Sequence, residues 1–379
     1  MVIGKSNLAS IRGAVQSLCG RKQINLRQTQ LAVAGAGLIG RRHIELIHES
    51  VRCQLTAIVD PGPAAAEVAE NANVPLFRSL GELFEKNRPD GVVLATPNQL
   101  HVGQALECIA AAVPALIEKP VAHSLEEGER LRAASERATV PLLVGHHRAH
   151  SPILTKAREI IQQGKIGKLV GVMGSAVFYK PDDYFDHAPW RREAGGGPIL
   201  INMIHEIGNL RSLCGEIVAV QALSSNATRG FPVEDTVPIN LRFENGTLGT
   251  FFLSDTAGSA RSWEQTSQEN RRYPSYDDED CYVIAGDMGS LSVPTMRLKT
   301  YAREQDRSWW KPFETGVADI DRADPLELQL AHFCDVIAGI AQPLVSVYDG
   351  LQNLRITEAI AEASRTGSTV DMGRARAIV

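Results

Sequence analysis

Short apolar runs alternate with amphipathic stretches along the first 150 residues. The runs predict buried strands, each closing in a turn: LAVAG, LTAIVD, GVVLATP, PALIEKP and VPLLVGHH. The stretches between them repeat apolar residues at helical spacing. They predict helices over Leu38–Glu49, after Asn98 as N-cap and after Ser124 as N-cap. This alternation predicts an α/β domain with a parallel, doubly wound Rossmann sheet over residues 29–149.

The pattern changes after residue 150. Long runs rich in Val, Phe, Thr and Ile follow one another with few helices between them, and Asn245-Gly246 predicts a hairpin. We therefore predict a second domain over 150–379 with a large, mainly antiparallel sheet, whose last helices pack back on the first domain. The polar stretch 261–280 is either a disordered tip or a lid, and residues 1–28 form an N-terminal extension.

Composition narrows the class of protein. The 379 residues favour two domains, and a formal net charge of −5 argues against binding to nucleic acid or an anionic membrane surface. No apolar stretch is long enough to span a bilayer, and the first 28 residues contain no continuous apolar core of a secretory signal. The six cysteines are scattered, so we predict reduced thiols and a cytoplasmic protein.

The first strand and helix meet at a glycine-rich turn. Gly35 permits the tight turn, Gly37 lets a pyrophosphate approach the backbone, and Gly40 lets helix and strand pack closely. The N–H groups at the start of the helix, at Leu38 and Ile39, then hold the phosphates. A glycine turn without a ligand is the alternative interpretation.

The second strand bears on the cofactor. Asp60 lies 20 residues beyond Gly40 and is placed to accept hydrogen bonds from the adenosine ribose. Its charge repels a 2′-phosphate, although Arg41 and Arg42 lie nearby on the first helix. The sequence thus predicts NAD, with NADP as the less favoured cofactor. Ligands of such sheets bind at the carboxyl ends of strands, which points to Thr96, Pro97 and Lys119.

Several motifs occur in one order along the chain. After the glycine turn come TPNQLH (Thr96–His101), EKP (Glu118–Pro120), GHHRAHSP (Gly145–Pro152) and WRREAGGGPILINMIHEIG (Trp190–Gly208). In this order the chain resembles the Gfo/Idh/MocA family of oxidoreductases. The resemblance implies a Rossmann domain followed by an α/β domain, with NAD(P) and a sugar, cyclitol or related hydroxylated acid as substrate. It adds Asn98, His101 and Glu118 to the expected cofactor site and implies a homodimer or homotetramer through the C-terminal sheet.

Two residues are the candidates for proton transfer. Asn202, His205, Asn209 and Ser212 recur along one face of a predicted helix that opens at Pro198. The resemblance favours His205 as the acid/base and Lys119 as the group that polarises the reacting oxygen. The family commonly has Asp four residues before and three residues after this histidine, but the chain has Ile201 and Gly208. An imidazole without that carboxylate is expected to keep a pKa near 6.5.

A cluster of aromatic and cationic residues predicts a pocket wall. It comprises Tyr179, Lys180, Trp190, Arg191 and Arg192, with His147 and Arg148 as further donors. Arginine forks suit carboxylates, so we predict an anionic substrate. No metal site is expected, because His146 and His147 would point to opposite faces of a strand.

The preferred hypothesis is an NAD-dependent dehydrogenase acting on CH–OH groups. One alternative is a redox-neutral glycosidase or lyase that oxidises its substrate transiently with bound NAD. Another is a non-catalytic protein that binds NAD or a sugar, which Ile201 in place of an acid makes more credible.

Overall fold

The computed structural model describes residues 27–373. The predicted extension, apart from its last two residues, lies outside them. The first half of the chain forms a six-stranded, wholly parallel sheet in the order β3–β2–β1–β4–β5–β6. Its strands are β1 (Thr29–Ala34), β2 (Cys53–Val59), β3 (Leu76–Phe77), β4 (Gly91–Leu94), β5 (Ala115–Glu118) and β6 (Leu142–Gly145).

Five helices connect these strands and cover both faces of the sheet. They are α1 (Leu38–Glu49), α2 (Ala65–Asn71), α3 (Leu80–Lys86), α4 (Asn98–Ala110) and α5 (Leu125–Ser135). The predicted bounds of α1 are confirmed, and Ser124 caps α5 by accepting from the amide of Glu127. The prediction for α4 was one residue out: Asn98 is its first residue and Pro97 its N-cap. The strand order reverses between β1 and β4, and this switch point is where such sheets bind ligands.

The second half is built on a nine-stranded sheet in the order β14–β13–β12–β11–β7–β10–β9–β8–β15. Only β7 and β10 pair in parallel, so the predicted antiparallel character is confirmed. The strands are β7 (Leu169–Val177), β8 (Ile217–Ala222), β9 (Thr236–Phe243), β10 (Leu248–Ser254), β11 (Tyr282–Gly286), β12 (Gly289–Val293), β13 (Arg297–Thr300), β14 (Glu314–Val317) and β15 (Val370–Asp371).

The helices of this half pack against one face of the sheet and return to the first half. They are α6 (Pro152–Gln162), α7 (Asp182–Asp186), α8 (Ile204–Cys214), α9 (Trp263–Thr266), α10 (Pro325–Ile337) and α11 (Val347–Thr366). Leu330 and Phe333 of α10 lie in a core shared with β1, and Leu351 and Leu354 of α11 lie in a core shared with β4 and β5. Ile356 and Ile360 of α11 lie in the core of the second sheet, so α11 connects the two sheets, while α10 packs on the first.

Two local predictions need correction. The strand β6 ends at Gly145, and a 3-10 turn over His147–His150 follows, so His146 and His147 do not alternate across a strand. The stretch 261–280 packs against the domain, which argues against the disordered tip and leaves the lid as the remaining prediction: Trp263 is buried, and Glu269 accepts a hydrogen bond from Ser151 at the start of α6.

Candidate functional site

The glycine turn has the shape that a bound pyrophosphate requires. Gly35 has φ of +94°, and a Cβ atom added to Gly40 would lie 1.9 Å from the carbonyl oxygen of Gly35, so both positions need glycine. Nothing lies within 4 Å of a Cβ added to Gly37. Leu38 is exposed and Ile39 half-buried at the start of α1. The amides of this turn are therefore open to an anion.

Asp60 closes the turn from the end of β2. Its two carboxylate oxygens accept from the amides of Ala36 at 2.8 Å and Gly62 at 2.7 Å. A carboxylate has about four acceptor positions, so it can still accept from ribose hydroxyls. Arg42 is held by Glu45 and Asp324 on the far side of α1, whereas Arg41 donates to the carbonyl of Ala36. These residues fit NAD.

The turns after β4 and β5 are tied together by His101. Its ring is buried and joins the carbonyl oxygens of Thr96, at 2.9 Å, and Pro120, at 2.8 Å. Pro97 is exposed and Asn98 half-buried at the start of α4. In the TPNQLH motif, Thr96, Pro97 and Asn98 are the residues accessible to a ligand. The buried ring of His101 holds them in position.

Glu118 is turned into the protein rather than toward a ligand. Its side chain contacts His43 of α1 at 2.8 Å and accepts from the amide of Lys119. Burial raises the pKa of this carboxyl, but the hydrogen bond and charge of His43 outweigh burial and leave the pKa lowered. The pair fixes the end of β5 against α1 and so sets the position of Lys119.

Lys119 reaches the helix that carries His205. Its Nζ donates to the carbonyl oxygen of Ile201 at 3.4 Å. Residues Ile199–Met203 form a π-turn before α8, a widened turn that often occurs at functional sites. The side chain of Ile201 cannot replace the family's Asp, but its carbonyl gives Lys119 a partner. Burial, aided by the charge of Arg148, lowers the pKa of Lys119.

His205 is at the centre of a group of histidines. Its ring centroid lies 5.1 Å from that of His147 and 6.1 Å from that of His146. The expectation of a pKa near 6.5 is wrong: burial, together with the charges of Lys119 and Arg148, holds the pKa of His205 well below that value. Burial likewise lowers the pKa values of His146 and His147 to about 3. All three imidazoles are therefore neutral at pH 7.

Arg148 is engaged by two acids that the sequence analysis did not single out. Its guanidinium donates to Glu206 at 2.5 Å and to Glu264 of α9. Tyr282 donates to the second oxygen of Glu206. These contacts engage the two terminal nitrogens of the guanidinium and leave its Nε without a protein partner among residues 27–373, so Arg148 supports the site from behind. The acids lie 58 and 116 residues beyond Arg148, and no local pattern connects them.

The predicted wall of aromatic and cationic residues assembles on the other side of α8. Lys180 donates to Asn202 at 2.7 Å and pairs with Asp255 at 3.2 Å, which ties a predicted substrate contact to the turn before His205. Burial lowers the pKa of Lys180 to about 8, against the opposing charge of Asp255. The guanidinium of Arg191 stacks 3.8 Å from the ring centroid of Tyr184.

Tyr179 and Trp190 complete this wall with exposed rings. The guanidinium of Arg192 is paired with Asp186, away from the others. Within residues 27–373, no three His, Cys, Asp or Glu side chains are arranged to hold a metal ion. None of the helices in that range is long and apolar enough to cross a membrane.

Two family models match this chain in succession. Residues 29–146 match the NAD-binding Rossmann fold of the GFO/IDH/MocA oxidoreductase family, and residues 154–292 match its C-terminal domain. The chain belongs to this family. It is therefore an NAD-dependent oxidoreductase, with the cofactor held by the Rossmann domain.

Relatives of known name extend over most of the chain. The rhizopine catabolism protein MocA of Rhizobium meliloti is 26% identical over 342 residues, which is 88% of this chain and 94% of the relative. Inositol 2-dehydrogenase 2 of Saccharopolyspora erythraea is 26% identical over 355 residues, 89% of this chain and 94% of the relative.

Solved structures share the fold. The WlbA dehydrogenase of Bordetella pertussis, in complex with NADH and UDP-GlcNAcA, superposes with a TM-score of 0.73 at 24% identity and covers 92% of this chain and 100% of its own. A levoglucosan dehydrogenase with NADH and levoglucosan superposes with a TM-score of 0.73 at 21% identity, again over 92% and 100%.

Proposed function

We propose that this protein oxidises a secondary alcohol of a sugar, cyclitol or hydroxylated acid, with His205 as the base that removes the hydroxyl proton. The observation that carries the proposal is the approach of Lys119, at the end of β5, to the turn that precedes His205. When bound, NAD supplies the hydride acceptor. Lys119 donates a hydrogen bond to the reacting oxygen, and Asn202, held by Lys180, orients a neighbouring hydroxyl.

The charges around His205 favour its neutral form. Burial, with the charges of Lys119 and Arg148, lowers its pKa, so at pH 7 the imidazole is neutral and has a ring nitrogen that can accept a proton. His147, with its ring 5.1 Å from that of His205, is a further proposed contact of the substrate.

The proposed substrate carries an anionic group beside the reacting carbon. Lys180 and Arg229 share the carboxylate of Asp255. In contrast, Arg191 makes no ion pair with any acid among residues 27–373: its Nη1 donates to the carbonyl oxygen of Tyr184, and its Nε has no protein partner there. The guanidinium of Arg191 therefore has N–H donors left for a carboxylate. The exposed rings of Tyr179 and Trp190 suit the apolar face of a sugar.

A screen for NAD⁺ reduction tests this function. Neutral cyclitols and aldoses are compared with their carboxylated counterparts by absorbance at 340 nm, for the wild type and for Arg191→Leu. We expect the carboxylated alcohols to give the higher kcat/KM and the variant to lose at least tenfold on those substrates alone. Turnover of neutral alcohols with every hydroxy acid inactive would contradict the anionic substrate. Product formation without net NADH would favour a redox-neutral reaction.

The proposed assembly is a homodimer or homotetramer through the nine-stranded sheet. Its open face carries Met173 of β7 beside Leu248 and Phe252 of β10, and each of the three side chains is at least 44% exposed. Burying such a face against a second copy stabilises both chains. Sedimentation is expected to give a mass above that of one chain.

We also propose the cytoplasm as the compartment, because the five cysteines within residues 27–373 are free and buried.

A further inference from the structure

A cavity lies against His205, and none of Tyr179, Lys180, Trp190 and Arg191 of the proposed substrate wall lines it. Its volume is about 140 Å³, and its lining includes His146, Arg148 and His205 but neither Lys119 nor Asn202. It extends between α8 and the start of α11 to Glu216 and Asp349. The side chains of these two acids are 31% and 39% exposed, so the cavity runs from the buried histidines to the solvent.

The lining of this cavity calls for water. His146 Nδ1, Arg148 Nε and His205 Nδ1 are buried nitrogens without a protein partner among the described residues. The side chains of His146 and His205 are only 4% and 9% exposed. Buried polar groups of this kind are satisfied by ordered water in native proteins, and the volume holds several water molecules at about 30 Å³ each.

A chain of hydrogen bonds orients the donors along one side. Arg211 donates to Asn353 Oδ1 at 2.7 Å, which leaves the Asn353 amide to donate to His146 Nε2 at 3.3 Å. A neutral His146 that accepts at Nε2 carries its proton on Nδ1, the nitrogen without a protein partner. The ring is thus held with a donor available for a water molecule.

The oxidation of an alcohol releases a proton that has to leave this buried site. The O–H bond of the alcohol breaks, its carbon loses a hydride to NAD⁺, and the hydroxyl proton binds His205. We propose that water in the cavity carries this proton from His205 to the solvent at Glu216 and Asp349. The inference rests on the proposed role of His205 as base. It gives this chain an exit route that does not use the family's carboxylate, which is absent at Ile201.

The proposed proton route from His205 through the cavity to Glu216 and Asp349 is called the passage. It is tested first in the protein without substrate or NAD. A high-resolution crystal structure of the wild type is expected to show ordered water between the histidines and Glu216. Ser212 lines the cavity, and among residues 27–373 its hydroxyl bonds only the carbonyl of Asn209 in its own helix. Ser212→Leu is expected to displace water from the passage. A dry cavity in the wild type would overturn the proposal.

Kinetics then show whether the passage is used. With NAD⁺ and the alcohol of highest kcat/KM in the screen above, Ser212→Leu is expected to lower kcat about tenfold, enlarge the solvent deuterium isotope effect and leave the Kd of NAD⁺ unchanged. Ser135→Leu is the matched control, because Ser135 on α5 also bonds only the carbonyl three residues earlier. Glu216→Gln is expected to lower kcat less and to respond to the buffer concentration.

Two results separate the outcomes. Ser212→Leu could displace the water and still have the same kcat and solvent isotope effect as Ser135→Leu. That result would contradict the proposed proton route but not the proposed dehydrogenase function. If the wild type reduces no NAD⁺ with any alcohol, the proposed function fails and the proton passage fails with it.

Discussion

The two sides of the cleft are built from different kinds of structure. On the nucleotide side, glycines and main-chain amides near Gly35 and Asp60 form a surface whose contacts are mostly within one βαβ unit. On the proposed catalytic side, side chains from the end of β5 and from the 3-10 turn surround His205, with Glu264 of α9 behind Arg148, and burial and charge lower the pKa of His205. The first side recognises the cofactor by local geometry, whereas the second depends on long-range packing. Substitutions on the two sides should therefore fail in different ways.

The largest effect is expected on the catalytic side. His205→Ala should lower kcat by about 10²–10⁴-fold, because it removes the base, and should leave the Kd of NAD⁺ unchanged. Lys119→Ala should lower kcat and also raise the KM of the substrate, because the proposed role of Lys119 is to donate a hydrogen bond to the reacting oxygen. The pH profile of kcat for both variants checks the assignment. If His205→Ala keeps a kcat close to that of the wild type and the acidic limb of its pH profile is unchanged, His205 has a structural role and is not the base.

The buried histidines should also make the protein sensitive to acid. Burial lowers the pKa of His150 to about 3, so the folded chain keeps its imidazole neutral while the unfolded chain takes up a proton below about 6.5. The contribution of His150 to the free energy of unfolding is fully present above about pH 6.5. It falls by about 1.4 kcal/mol per pH unit as the pH drops toward 3. We expect His150 to cost roughly 2 kcal/mol of unfolding free energy between pH 7 and pH 5.

Urea unfolding at pH 7 and pH 5 measures this cost. His150→Phe should lose about 2 kcal/mol less than the wild type between the two pH values, whatever its stability at pH 7. His48→Phe is the control, because His48 is exposed on α1. Equal losses for the wild type and His150→Phe would show that His150 is not held neutral in the fold.

A smaller effect is expected on the nucleotide side. Asp60→Ala should weaken NAD binding about tenfold, because the ribose loses a charged acceptor, and should narrow the preference over NADP. Asp60→Asn keeps one acceptor oxygen without the charge, so it should weaken NAD less while still admitting a 2′-phosphate. Titration of both cofactors by fluorescence checks these changes. Tighter binding of NADP than of NAD by the wild type would contradict this role of Asp60.

Sequence-based predictions were accurate where the structure depends on neighbouring residues, as on the nucleotide side, and less accurate where it depends on long-range packing, as around His205. The bounds of α1, the cap at Ser124 and the parallel order of the first sheet were predictable, because each depends on residues close together in the chain. The face of α8 was predicted as a polar stripe, yet His205 and Asn209 are buried. Helical spacing shows which residues share a face but not what covers that face.

The end of β6 shows how a small local difference changes a chemical prediction. Alternation along a strand would have placed His146 and His147 on opposite faces. The chain instead turns after Gly145 into a 3-10 turn, and both rings come to lie beside His205. The argument against a metal site from strand alternation therefore does not apply, and the two histidines lie beside the proposed base.

By itself, the sequence determined the alternation of strands and helices and the glycine turn with Asp60, since these follow from local spacing and conformational preference, while the family resemblance supplied the candidate bases. Only the tertiary structure decided the state of those bases. The charges that act on His205 come from the end of β5, at Lys119, and from the 3-10 turn, at Arg148, while Glu264 on α9 holds Arg148 in place. Burial and charge depend on distances in space, and residues far apart in the chain carry no periodic signal of such a distance.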